Sequence, residues 1–98
     1  MSEPVLAPAD VDAALAEQGI AWERQDDQLT TTVTLRDFAA ALAFVNEIGA
    51  AAEAANHHPD IDIRWNKVRL VLTTHDAGGL TVLDLALAAA IDRLRPLR

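Results

Sequence analysis

The chain contains three histidines, and all of them fall between positions 57 and 75. Two are adjacent, in the stretch Glu53-Ala54-Ala55-Asn56-His57-His58-Pro59. Imidazole, with an unperturbed pKa of about 6.5, can give or take a proton near neutral pH. Such a cluster suits two chemistries. In the first, imidazoles exchange protons with a substrate, one as base and another as acid. In the second, His57, His75 and Glu53 ligate a metal, as a two-histidine-one-carboxylate iron set or a three-ligand zinc site does. The adjacent pair argues against the metal, because consecutive residues of an extended segment point to opposite sides. Nucleophilic catalysis finds no cysteine, and no serine except Ser2. Gly78-Gly79 lacks the lysine and further glycines of a phosphate-binding loop.

Two elements must bring His75 to the pair. Ile61, Ile63 and Trp65 alternate with Asp60, Asp62 and Arg64, and Val68, Leu70 and Leu72 alternate with Arg69, Val71 and Thr73. That period of two predicts a hairpin turning at Asn66-Lys67. Trp65 then pairs with Val68, Ile63 with Leu70 and Ile61 with Leu72, six apolar side chains on one face. The same register, extended, sets His58 opposite His75. Upstream, a helix over about 35–55 is predicted, with Thr34 as N-cap and Asp37 reaching back. Phe38, Leu42, Val45, Ile48 or Gly49, and Ala52 make its expected buried face. Glu53 falls in the last turn, where a carboxylate opposes the helix dipole, and His57, four residues on, is its expected positive partner.

The remaining elements frame these two. Pro8 opens a helix over about 8–18, which Gly19 ends. Strands around Ile20–Arg24 and Leu29–Leu35 follow, joined at Asp26-Asp27-Gln28. Thr81-Val82-Leu83-Asp84 reads as a second capping box, opening a last helix with Leu83, Leu87, Ala90, Ile91 and Leu94 inward. Residues 1–6 read as a loose tail. The order predicts one α+β domain over 1–98, a four-stranded antiparallel sheet with three helices packed on one face.

Composition narrows the partners. A net charge of −7 argues against direct binding of nucleic acid, which needs a basic face. No apolar run approaches the roughly 20 residues of a membrane span. The N-terminus lacks the basic start and apolar run of a signal peptide, so a cytoplasmic protein is expected.

Taken together, these residues resemble a known family. Glu53, His57-His58-Pro59, Trp65, His75 and Asp84 follow one another at the spacing of the pterin-4a-carbinolamine dehydratases, also called the dimerisation cofactor of a homeodomain transcription factor. Trp22, Leu35-Arg36-Asp37-Phe38, Trp65-Asn66-Lys67-Val68, Thr74-His75 and Gly79-Leu80-Thr81 extend the likeness over nearly the whole chain from about residue 6. Asn56 departs from it, standing where animal members carry an aspartate, and Trp65 stands where many have tyrosine.

The resemblance implies a dehydratase acting on 4a-hydroxytetrahydrobiopterin or a related carbinolamine, without metal or other cofactor. His57, His58 and His75 are its implied catalytic residues; Glu53, Asn56, Pro59, Trp65 and Thr74 its implied substrate-binding ones. Glu53 would hold His57 or bind the pterin. The resemblance also implies a homodimer or homotetramer. A rival reading is a non-catalytic interaction module, since animal members stabilise a transcription factor dimer through a helical surface.

Overall fold

A computed structural model describes residues 3–96. The elements run α1 (Pro8–Gln18), β1 (Glu23–Gln25), β2 (Gln28–Thr34), α2 (Phe38–Ala55), β3 (Asp60–Arg64), β4 (Lys67–Leu72) and α3 (Val82–Leu94). The four strands form one antiparallel sheet in the order β1-β2-β4-β3. The two hairpins thus join through β2 and β4, and the three helices cover one face. The expected α+β architecture is the observed one.

The core lies between the helices and that face. Leu29, Val33, Val68, Leu70 and Leu72 from the central strands meet Val11, Phe44, Ile48, Leu87 and Ile91 from the helices. Each such side chain, fully buried, contributes about 1.5–3 kcal/mol. Trp22 is buried too, and its indole N–H donates to Asp92 on α3 at 2.9 Å. Asp12 of α1 accepts from Arg24 of β1, and that hydrogen bond holds the Asp12 carboxyl below its ordinary value of 3.8.

The start of α2 differs from expectation. Asp37 is itself the N-cap, and its carboxylate accepts from the Ala40 N–H at 2.8 Å. Thr34 still belongs to β2, where it pairs with Lys67, three residues before the cap. Asp37→Ala is expected to cost about 1 kcal/mol, read as a lowered denaturation midpoint.

The buried face of α2 is Ala41, Phe44, Ile48 and Ala52, while Phe38 and Leu42 are exposed. An alanine-rich helix is apolar almost all round, so its pattern does not fix which side turns inward. By length and composition α2 is the single helix among the described residues that could cross a membrane. Phe44 and Ile48 bury its inner side in the domain's own core.

Near the N-terminus, the Leu6 N–H donates to the Leu80 carbonyl at 2.8 Å and Leu6 packs on the core. The tail read as loose is therefore docked at residue 6. Residues 1 and 2 lie outside the described residues.

The β3–β4 hairpin turns one residue earlier than expected, which slips the pairing register by two. Arg64 pairs with Lys67, Ile63 with Val68 and Ile61 with Leu70, leaving Trp65-Asn66 as the loop. Asn66 accounts for the shift: its side chain donates to the Leu35 carbonyl, and its own carbonyl accepts from the Leu35 N–H. A slip of two keeps every side chain on its face. It does remove Trp65 from the sheet, into a left-handed conformation at φ 54°, 67% exposed.

Candidate active site

Helix α2 ends where the chemistry begins. Asn56 caps it in the left-handed conformation, φ 50°, which asparagine tolerates better than most residues. The chain then folds back, so the His57 N–H donates to the Ala52 carbonyl at 3.1 Å. This closure resembles a Schellman turn and ties His57 to the last turn of the helix. His58, one residue on, faces outward and is exposed.

Opposite this turn, β4 leads into a tight loop. Thr74 and Gly79 bridge it, with the Thr74 carbonyl accepting from the Ala77 and Gly78 N–H groups. Gly78 supplies the positive φ, 79°, that the reversal requires. The loop delivers His75 to one side and returns the chain to α3 on the other. Asn56, His57, His58, Thr73, Thr74, His75 and Asp76 together line a shallow cavity of about 230 Å³.

All three histidines therefore meet at one cavity, though not as strand partners. The ladder stops at Asp60 opposite Val71, so its continuation would set Thr73, not His75, across from His58. Pro59 is half-buried beside the cavity and does not line it. Trp65 lies at the other end of β3, about 20 Å from Pro59 at 3.3 Å per residue. The structure does not bring it to the histidines.

The carboxylate partners are exchanged relative to expectation. Glu53 pairs with His58 rather than His57, through a short contact between exposed side chains. His57 instead points inward, and its Nε2 meets Asp84 Oδ1 at 2.5 Å. Asp84 is fully buried and His57 is 9% exposed. Sequence reasoning missed this pairing, because Asp84 reads as the second half of a capping box. It does complete that box, with the Thr81 hydroxyl accepting from Leu83 N–H and Asp84 Oδ2 from Thr81 N–H. The family spacing, which ends on this aspartate, was the signal that could have found it.

A buried carboxylate is tolerable only when its lone pairs are met. Asp84 accepts at Oδ2 from Thr74 Oγ1 at 2.7 Å and from Thr81 N–H at 3.0 Å, and at Oδ1 it faces His57. As a carboxylate it only accepts, so the neutral His57 carries its proton on Nε2. Nδ1 is then the nitrogen left for the cavity. An imidazole whose tautomer is set by a buried carboxylate is the arrangement of a general base.

The metal alternative loses its ligand set. Glu53 faces His58 instead of the His57 and His75 it was expected to join, and no group of three suitable side chains is assembled among the described residues. A larger cavity, about 590 Å³, lies between β2 and the end of α3. Among the described residues its charged lining groups are Arg36 and Arg95, which make no acid–base pair.

A small α+β domain with histidines gathered at a helix end, one of them held by a buried aspartate, defines the class: an α+β domain with a candidate acid–base site. Comparison with known proteins narrows it. The sequence profile of the family described as pterin 4 alpha carbinolamine dehydratase matches residues 4–94, and the chain belongs to that family. A protein of Chloroflexus aurantiacus, provisionally named pterin-4-alpha-carbinolamine dehydratase, is 53% identical over 91 residues, 93% of this chain and 97% of that one. One of Acidobacterium capsulatum with the same provisional name is 57% identical over 74 residues, 76% of this chain and 80% of its own.

Among solved structures, the transcriptional coactivator/pterin dehydratase of Brucella melitensis superposes with a TM-score of 0.86 at 26% identity, covering 94% of this chain and 99% of that one. A pterin dehydratase-like RuBisCO assembly factor of the alpha-carboxysome shares the fold, with a TM-score of 0.63 at 22% identity over 79% of this chain and 89% of its own.

Proposed function

We propose that the protein is a 4a-hydroxytetrahydropterin dehydratase, removing water from the carbinolamine to give the quinonoid dihydropterin by histidine acid–base catalysis. The observation that carries this reading is His57, anchored on Asp84, beside His58 and His75 at one cavity. Dehydration needs a proton taken from N5 and a proton given to the departing hydroxyl. Hydroxide leaves poorly, so the acid matters as much as the base. In this reading His57 takes the N5 proton through Nδ1. His75, exposed in its loop, protonates the leaving oxygen. His58, steadied by Glu53, orients the pterin with Asn56. The product would pass to a reductase, as tetrahydrobiopterin recycling requires.

The test follows the loss of water from a freshly generated 4a-hydroxytetrahydropterin by absorbance. Wild type is expected to accelerate it, and His57→Ala and His75→Ala each to lose about 10²–10⁴-fold. Full rates in both variants would end the assignment.

A second reading is favoured by Phe38 and Leu42, which stand exposed on α2 at 45% and 42%. Apolar side chains one turn apart on an open helix face suit contact with another protein. In this reading the protein self-associates, as a homodimer or homotetramer, or holds a partner there. Light scattering of wild type against Leu42→Glu tests the first. A partner bound by wild type that shows no dehydration would favour the module over the enzyme.

A further inference from the structure

The hydroxyl of Thr74 lies on the cavity wall, yet it is not free to meet a substrate. Thr74 is 7% exposed, and its Oγ1 lies 2.7 Å from Asp84 Oδ2 and 2.8 Å from Thr81 Oγ1. The proton directions in this group can be worked out from its fixed ends. The Leu83 and Thr81 backbone N–H groups can only donate, to Thr81 Oγ1 and Asp84 Oδ2 respectively. The carboxylate can only accept. Thr74 therefore gives its one proton to Asp84, and the Thr81 hydroxyl gives its own to Thr74.

Every hydrogen in the chain of contacts then has one position. From the first turn of α3 it runs Leu83 to Thr81, Thr81 to Thr74, Thr74 to Asp84, and ends where His57 donates from Nε2. Thr81 and Asp84 are both fully buried, and no buried side-chain polar atom among the described residues lacks a partner. A network so closed has no low-cost alternative arrangement.

We infer that Thr74 is a positioning residue: its hydroxyl, directed by Thr81, orients the Asp84 carboxylate and thereby keeps the His57 proton on Nε2, with Nδ1 presented to the cavity. Without the Thr74 donor, Oδ2 keeps only the Thr81 N–H, and the carboxylate is free to turn about its Cβ–Cγ bond. The Thr81 proton loses its acceptor as well. The hold on one His57 tautomer weakens although His57 and Asp84 are both still present. This role deepens the dehydratase reading and, for its effect on rate, rests on it.

Thr74→Val keeps the β-branched shape and the backbone bridge to Gly79 while removing the hydroxyl. Thr74→Ser keeps the hydroxyl and removes the methyl. Long-range ¹H–¹⁵N correlation spectra of the neutral histidine rings report the tautomer of His57 with no substrate present. The expected result is a single Nε2–H form in wild type and in Thr74→Ser, and an averaged or reversed signature in Thr74→Val.

Dehydration kinetics form the second arm. Thr74→Val is expected to lose about 10- to 100-fold in kcat, a part of what a positioned acid–base group supplies, with KM changed less than about twofold. Thr74→Ser recovers most of that loss. An unchanged His57 signature in folded Thr74→Val overturns the inference, as does a Thr74→Ser spectrum like that of Thr74→Val. A rise in KM with kcat intact would make Thr74 a substrate contact and overturn it too. If wild type accelerates no dehydration, the enzyme reading falls by itself, and the spectra alone decide the role of Thr74.

Discussion

Asp84→Asn is expected to leave the domain folded and to slow dehydration by about 10²–10⁴-fold. The two side chains have the same shape, so the core around position 84 need not move. What changes is one terminal atom, from an acceptor to a donor. Two donors, Thr74 O–H and Thr81 N–H, converge on Oδ2. The amide oxygen satisfies both by settling there. Its NH₂ then faces His57 Nε2, which must accept, and the ring proton moves to Nδ1. A neutral ring in that tautomer shows the cavity a donor where the proposed base needs a lone pair. The capping contact to Thr81 survives, so a melting temperature close to wild type should accompany the lost rate. An undiminished rate would mean that the carboxylate does not set the chemistry of His57.

Leu70→Ala is expected to cost more stability than either Asp37→Ala or Trp65→Ala. Leu70 is completely buried on β4, with Thr31 of β2 and Ile61 of β3 as its strand neighbours. Truncation removes the transfer free energy of the lost carbons and leaves a cavity that neighbouring strands cannot close, about 3 kcal/mol in all. For a domain of this size that lowers Tm by about 12–24 °C. Trp65→Ala provides the contrast, since the indole is 67% exposed at the hairpin tip. Its cost should stay within about 0.5 kcal/mol despite the larger side chain. Thermal melts of the two variants side by side therefore test the hairpin register. Had Trp65 paired with Val68, its truncation would rival that of Leu70.

Much of the fold could be read from local pattern. Pro8 and Gly19 bracket α1, the threonine-rich alternation before Leu35 marks β2, and Thr81 with Asp84 opens α3, because each signal acts over a few residues. What escaped was set by distant contacts. The register of β3 on β4 depends on Asn66 gripping Leu35, 31 residues away. The inward side of α2 depends on where α3 packs, since alanine gives no strong direction.

The candidate site divides along the same line. The gathering of His57, His58 and His75 followed from a hairpin and its flanking loops, and it survives a register slip of two because loops absorb it. The choice of partners did not follow. Glu53 stands four residues before His57 and five before His58, and helical spacing favoured the wrong one. The left-handed turn at Asn56 breaks that spacing and sends His57 inward to Asp84, 27 residues on in the chain. A residue that satisfies a helix cap gives no local sign that its other oxygen is engaged elsewhere.

The turn at Asn56 also makes the length of α2 a ruler. His57 is fastened to the helix end, and the helix is fastened at the other end by Asp37 and along its side by Phe44 and Ile48. Each residue of an α-helix turns the chain by about 100° and advances it by about 1.5 Å. One alanine added or removed between Ile48 and Ala52 would swing the imidazole away from Asp84 while leaving every side chain of the site intact. The histidine pair is thus addressed by counting from the core, and α2 can vary in composition on its outer face far more freely than in length.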